Sequence, residues 1–229
     1  MRIDLGPEYV AIVGGGEILP AALPVILGAS SVVAADSGAQ FLKDNDIIPW
    51  VLVGDFDSCD PDVVSWMDEC GSRVITLPRD KDKTDTEVAL DMACNEGFKQ
   101  AVLVGGLGGD RLEHSLANLS LLEAYAERGL DVVLFHRDTV IFGLMGRGDG
   151  AAVERSFRGK PGDWVSAFPV TREVRGVTTE GLRFPLSGAT LTRGTTFGTS
   201  NEMTAGSASI SVTEGFLLVV VTGGSPVAE

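Results

Sequence analysis

Apolar and polar positions come in blocks along the chain up to about residue 145. Continuous apolar runs at Tyr9–Val13, Ser31–Ala35, Trp50–Val53, Arg73–Leu77, Ala101–Val104 and Val132–Phe135 predict strands buried on both faces. Between most of them, segments such as Pro61–Glu69, Thr84–Glu96 and Leu112–Arg128 suit helices. This alternation predicts an α/β domain, a parallel sheet with helices on both faces. Ligands of such sheets bind outside the carboxyl ends of the strands. The residues just past each run are therefore the first candidates: Gly14-Gly15-Gly16, Asp36, Asp55 and Asp57, Asp80 to Asp85, and Gly105 to Arg111.

Near residue 145 the pattern changes. The glycine-rich stretch Gly143 to Gly150 ends the alternation, and no long helical period follows. Short apolar or threonine-rich runs take its place: Trp164–Phe168, Val174–Thr179, Ala189–Thr192, Ala208–Thr213 and Phe216–Val221. Turn signals at Pro161-Gly162-Asp163, Leu186-Ser187-Gly188 and Thr213-Glu214-Gly215 separate them. A small all-β sandwich or barrel is expected, and the sandwich is the form taken here as the fold class. The chain thus divides into a domain at 1–145 and another at 146–229.

With 229 residues, 44% hydrophobic and 22% charged, the chain has the make-up of a globular protein that buries its core without staples. The net charge of -14 argues against nucleic-acid binding through a basic face. It would also repel a polyphosphate unless a divalent cation stood between carboxylates and phosphates. Cys59, Cys70 and Cys94 form no CxxC pair, which suits a reduced cytoplasmic setting and argues against a zinc site. Met1 to Pro7 lacks the apolar core of a signal peptide. No apolar run approaches the roughly 20 residues of a membrane span, so no membrane partner is expected.

Asp55 and Asp57 project to one side at the end of a strand, beside Gly54, which lets backbone approach closely. Two carboxylates there suit Mg²⁺, which takes few carboxylates plus substrate phosphates; the plainer alternative is a solvated turn. In Asp80 to Asp85, Thr84 and Glu87 form a T-x-x-E capping box ahead of Val88, Leu90 and Met92. A helix N-terminus also attracts anions, and Lys81 and Lys83 either counter phosphate charge or are solvated. Gly105-Gly106-Leu107-Gly108-Gly109-Asp110-Arg111 resembles a phosphate-cradling loop, but is neither a Walker A sequence nor a Rossmann fingerprint. Arg111, His114 and Asn118 then share one helical stripe, able to bind phosphate and base or simply to face water. His136 reads as structural, and Gly14 to Gly16 either line a ligand or turn the chain.

These pieces, in this order, resemble the thiamine pyrophosphokinase family over nearly the whole chain. The likeness rests on Ala34-Ala35-Asp36-Ser37-Gly38-Ala39, Gly54-Asp55-Phe56-Asp57-Ser58, Lys81-Asp82-Lys83-Thr84-Asp85-Thr86-Glu87 and Gly108-Gly109-Asp110-Arg111-Leu112-Glu113-His114. In the second domain it rests on Gly181-Leu182-Arg183-Phe184-Pro185-Leu186 and Gly198-Thr199-Ser200-Asn201-Glu202. The resemblance implies an α/β ATP-binding catalytic domain joined to a thiamine-binding β-sandwich, working as a homodimer. It implies transfer of a diphosphate from ATP to the hydroxyl of thiamine, with release of AMP. Asp55, Asp57 and Asp85 would organise Mg²⁺, and Asp57 or Asp85 would accept the hydroxyl proton. Asp36, Asp82, Thr84, Arg111, His114 and Asn118 would hold the nucleotide. Ser200 and Asn201 match the motif near the thiamine pocket, which the family builds between subunits. Asp110 and Glu113 depart from the family's Gly-Arg-x-Asp-His, and Ser37 stands where glycine is common. Phosphate-handling residues say little about the acceptor, so a diphosphokinase for another alcohol, such as a pterin, is an alternative. A nucleotide- or thiamine-binding sensor without turnover is another.

Overall fold

The computed structural model describes residues 2–223. Their contacts divide them into two compact units, Leu5–Arg137 and the rest. In chain order, β1 (Arg2–Ile3) belongs to the second unit. The first unit then runs β2 (Val10–Val13), α1 (Leu23–Leu27), β3 (Ser31–Ala35), α2 (Gly38–Asp44), β4 (Val51–Gly54), α3 (Pro61–Glu69), β5 (Arg73–Thr76), α4 (Asp85–Asn95), β6 (Gln100–Val104), α5 (Leu112–Glu127) and β7 (Asp131–His136).

These strands of the first unit are all parallel, in the order β7-β6-β2-β3-β4-β5. Strands β2 and β4 are buried at every position, as continuous apolar runs require between two layers of helix. The path from β2 to β5 moves one way across the sheet, and β6 and β7 lie on the other side of β2. Right-handed crossovers then place α2 and α3 on one face and α4 and α5 on the other. In agreement, α2 packs on α3 and α4 packs on α5. The strand order reverses between β2 and β6, and a crevice opens there at the carboxyl ends of the strands.

Helix starts follow local chemistry. Asp60 caps α3 by accepting the Asp62 N–H at 3.0 Å, with Pro61 in the first turn. Thr84 caps α4 by accepting the Glu87 N–H at 3.2 Å. The expected capping box is only half formed there, because the Glu87 carboxylate pairs with Lys83 at 3.6 Å.

Asp91 ties α4 to α5. It accepts from Lys83 at 2.6 Å, from Arg128 at 2.6 Å and from the Tyr125 hydroxyl at 2.9 Å. Partial burial pushes its carboxyl up, but these donors outweigh that and hold it below the usual range. Asp91→Ala should cost about 2 kcal/mol at neutral pH, since Lys83 and Arg128 are half-exposed and screened. A depressed folded pKa gives stability that is present above the unfolded value near ~4 and lost as pH falls through the folded one. Urea melts of the wild type and the variant should therefore converge once the pH has fallen below the folded value; a gap that persists there contradicts the assignment.

The second unit continues with β8 (Thr139–Arg147), β9 (Val153–Arg158), β10 (Trp164–Pro169), β11 (Glu173–Glu180), β12 (Ala189–Thr192), β13 (Asn201–Glu202), β14 (Ser207–Val212) and β15 (Glu214–Thr222). Every ladder is antiparallel. One run is β1-β9-β14-β11-β12 and the other β8-β15-β10-β13. Alternate residues of β14 are buried, the pattern of a strand with one face on a core. Phe142 of β8 and Phe157 of β9 meet at 5.9 Å and bring the two runs face to face.

Gly143 to Gly150 contains the end of a strand rather than only a break, since β8 extends to Arg147 and pairs with β15 along its length. The glycines serve packing. A Cβ on Gly143 would lie 2.2 Å from the Phe216 ring, and one on Gly146 would lie 2.4 Å from the Glu214 nitrogen. Strand β9 also lies outside the expected runs, because most of its positions are polar.

Candidate active site

Strands β3 and β4 are neighbours with Ala35 opposite Val53, so the residues that follow, Asp36 and Asp55, rise side by side. Asp85 enters as the first residue of α4. One oxygen from each of Asp36, Asp55 and Asp85 lies within 4.8 Å of the others. Asp36 has φ 49°, a left-handed conformation that aspartate tolerates better than most residues. It is fixed there by its N–H donating to the Val53 carbonyl at 2.8 Å and by its carbonyl accepting from the Ala39 N–H at 3.1 Å. The Cys59 thiol also donates to that carbonyl, at 3.4 Å.

The three carboxylates differ in their surroundings. Burial pushes the Asp36 carboxyl up; a hydrogen bond from the Ser37 backbone opposes this, and the charges of Asp85, Asp55 and Asp57 reinforce it. Its Oδ1 is buried and, among the described residues, has no hydrogen-bond partner. Asp55 is held below the usual range, first by the Asp57 N–H it accepts at 3.1 Å and then, against partial desolvation, by Lys81. Lys81 Nζ lies 3.2 Å from Asp55 Oδ2 and 3.0 Å from Asp85 Oδ1. The contact with Asp85 is an ion pair without a well-directed hydrogen bond. An orphaned oxygen beside two further carboxylates, with no nitrogen or sulfur donor in the set, fits a hard, oxygen-seeking divalent cation.

Asp57 stands apart from this group. Its carboxylate pairs with Arg79 at 2.9 Å and accepts from the Ser58 hydroxyl at 2.8 Å. The set of three therefore contains Asp36, which the family resemblance assigns to the nucleotide, rather than Asp57.

The aspartates form one wall of a cleft of about 420 Å³ within the first unit. Two glycine loops form another. Gly14 N–H donates to the Val104 carbonyl and Gly16 N–H to the Gly105 carbonyl, both at 2.8 Å. Gly105 has φ 70°, and a Cβ there would lie 2.4 Å from the Gly14 carbonyl oxygen. Ser37 fills space that Gly15 leaves open, since a Cβ on Gly15 would lie 2.1 Å from the serine hydroxyl. The buried Asn118 amide donates to the Gly106 carbonyl at 2.8 Å, so it braces the second loop. His114 and Thr84 line the cleft, whereas Asp82 is exposed and does not. Arg111 also lines it and is held by Glu113 at 2.8 Å, with both side chains exposed. Arg79, Lys81 and Lys83 complete a cationic rim suited to phosphate. Sequence reasoning missed Arg79, whose signal was its place just past β5.

In the second unit, a mostly apolar cavity of about 270 Å³ includes Val165, Leu182, Phe184, Phe197 and Asn201 in its walls. Asn201 accepts the Phe184 N–H at 3.0 Å and donates to the Phe184 carbonyl at 2.7 Å. Ser200 has φ 59°, and its N–H donates to the Ser166 hydroxyl at 3.0 Å. Asn201 thus borders the cavity and shapes it, and Ser200 anchors the adjacent turn.

Comparison with known proteins follows the same division. Residues 24–134 match the family model "Thiamin pyrophosphokinase, catalytic domain", and residues 153–217 match "Thiamin pyrophosphokinase, vitamin B1 binding domain". The chain belongs to the thiamin pyrophosphokinase family. A thiamin pyrophosphokinase of Geobacillus thermodenitrificans is 30% identical, with a TM-score of 0.79 over 96% of this chain and 99% of its own. The Bacillus subtilis thiamine pyrophosphokinase structure superposes with a TM-score of 0.81 at 23% identity, over 94% of this chain and 99% of its own. In sequence, the thiamine pyrophosphokinase of Bacillus subtilis strain 168 is 26% identical, over 82% of this chain and 85% of its own length. The catalytic-domain match covers Asp36, Asp55 and Asp85, and the vitamin-binding match covers Phe184, Phe197 and Asn201.

Proposed function

We propose that the aspartate cleft takes ATP with Mg²⁺ and presents its β-phosphorus to the hydroxyl of thiamine. The activity is that of the family: thiamine pyrophosphokinase, an ATP-dependent diphosphotransferase yielding thiamine diphosphate and AMP. The metal reading is carried by one observation, the buried Oδ1 of Asp36, without a hydrogen-bond partner among the described residues, beside Asp55 and Asp85. Mg²⁺ held by Asp36, Asp55 and Asp85 would supply neutralisation of the polyphosphate oxygens.

The chain's own residues do the rest. Arg79 and Arg111, oriented by Asp57 and Glu113, hold phosphate oxygens on the rim. The loops at Gly14–Gly16 and Gly105–Gly109 let the nucleotide approach backbone closely, and His114 borders its base or ribose. Asp85 accepts the proton as the thiamine oxygen bonds to the β-phosphorus. The bond from that phosphorus to the bridging oxygen breaks, and the electron pair leaves with AMP. Positioning and charge neutralisation dominate such transfers.

Thiamine is assigned to the second-unit cavity, where Phe184 and Phe197 are 60% and 69% exposed. Large open aromatics there support a homodimer that covers them. Three free cysteines, one of them with its thiol pushed up to about 11 by burial, suit a reducing cytoplasm. Among the described residues, no helix is long and apolar enough to cross a membrane.

The test incubates the pure protein with ATP, Mg²⁺ and thiamine or a pterin alcohol, and quantifies AMP and the diphosphorylated alcohol. Stoichiometric AMP and thiamine diphosphate are expected. Preference for the pterin would move the acceptor assignment, and tight binding without AMP release would identify a sensor.

A further inference from the structure

Among the described residues, four lysine or arginine side chains line the cleft, and three of them are paired outside the aspartate set. Arg79 pairs with Asp57, Arg111 with Glu113, and Lys83 with Asp91 and Glu87. Lys81 is different. Among the described residues it alone of the four contacts the set, bridging Asp55 Oδ2 and Asp85 Oδ1 at 3.2 and 3.0 Å. Its side chain is 15% exposed, against 79% for Arg79, 68% for Arg111 and 48% for Lys83. The spacing has a local cause, since Lys81 lies four residues before Asp85.

We propose that Lys81 is a resident counter-ion: its ammonium holds the metal site in the empty enzyme, is displaced when the divalent cation arrives, and then meets the nucleotide polyphosphate. The inference rests on the metal reading above. Without any cation, carboxylates this close repel one another, and the cluster would open or take up protons. One ammonium on two of the three carboxylates prevents that. It leaves the Asp36 oxygen unpaired, so the balance favours an ion able to reach all three. A dication on Asp55 and Asp85 and an ammonium on the same oxygens repel each other. The displaced ammonium needs an anion, and the cleft's anionic ligand is the polyphosphate. Exchange of this kind keeps the site shaped before substrate arrives and couples metal entry to the release of a phosphate-binding cation.

The coupling predicts opposite signs from one substitution. In Lys81→Gln, Mn²⁺ uptake, read from the loss of the free-ion EPR signal without nucleotide, should tighten about tenfold. Binding of ATP at saturating Mg²⁺ without thiamine, read by calorimetry, should weaken about tenfold. Lys81→Arg should keep the ATP affinity near the wild type. A second readout needs no loss of the lysine. In ¹⁵N-lysine-labelled wild-type enzyme, the ammonium signal absent from Lys81→Arg should be visible without metal and shift or vanish on Mg²⁺ addition. Mn²⁺ binding that is unchanged or weaker in Lys81→Gln, or a Lys81 signal unmoved at saturating Mg²⁺, overturns the exchange while leaving the metal site standing. No Mn²⁺ uptake by either protein overturns the metal reading and the exchange together.

Discussion

Asp55→Asn should lower kcat/KM for thiamine diphosphate formation at least about a thousandfold and leave the fold intact. The loss is chemical. One of the three closely spaced carboxylates becomes neutral, so the set proposed to hold the divalent cation that screens the polyphosphate loses one of its charges. The fold survives because the amide oxygen of asparagine can still accept the Asp57 N–H, which Asp55 accepts at 3.1 Å. The exposed pair of Asp57 with Arg79 is untouched. Steady-state AMP release across a Mg²⁺ titration, with circular dichroism and thermal melts alongside, provides the check. A variant that keeps wild-type rates at limiting Mg²⁺ would remove Asp55 from the site.

Gly105→Ala should lower stability by about 3 kcal/mol, or roughly 10 °C in melting temperature, and impair nucleotide binding with it. Gly105 needs its left-handed φ of 70°, and the added methyl would stand 2.4 Å from the Gly14 carbonyl oxygen. One loop must then retreat, which breaks the hydrogen bond of Gly16 N–H to the Gly105 carbonyl. Gly129→Ala is the control. Its φ is 83° but open space surrounds it, so only the backbone cost of about 1 kcal/mol applies. Equal melting shifts in the two variants would mean that the loop contact contributes nothing.

The α/β half was largely legible because its central strands are buried throughout and read as unbroken apolar runs. Asp55 was legible for the same reason, standing just past such a run. The membership of Asp36 beside Asp55 was not, because it depends on β3 and β4 being neighbours in register, and a linear chain does not display pairing. The capacity of Lys81 to bridge two aspartates was hidden among alternating charges that read equally well as solvated. The passage of β8 through Gly143 was hidden by distance: the glycine looks like a break until Phe216 is laid across it. Strand β9 escaped because its outward face carries polar residues and only Phe157 is fully buried.

Asn201 grips Phe184 by both its N–H and its carbonyl, as a neighbouring strand would. The segment bearing that aromatic is therefore set during folding, and a guest arriving at the cavity has little left to order. Removing the amide should consequently show first in how long the guest stays, and only later in how fast the reaction runs.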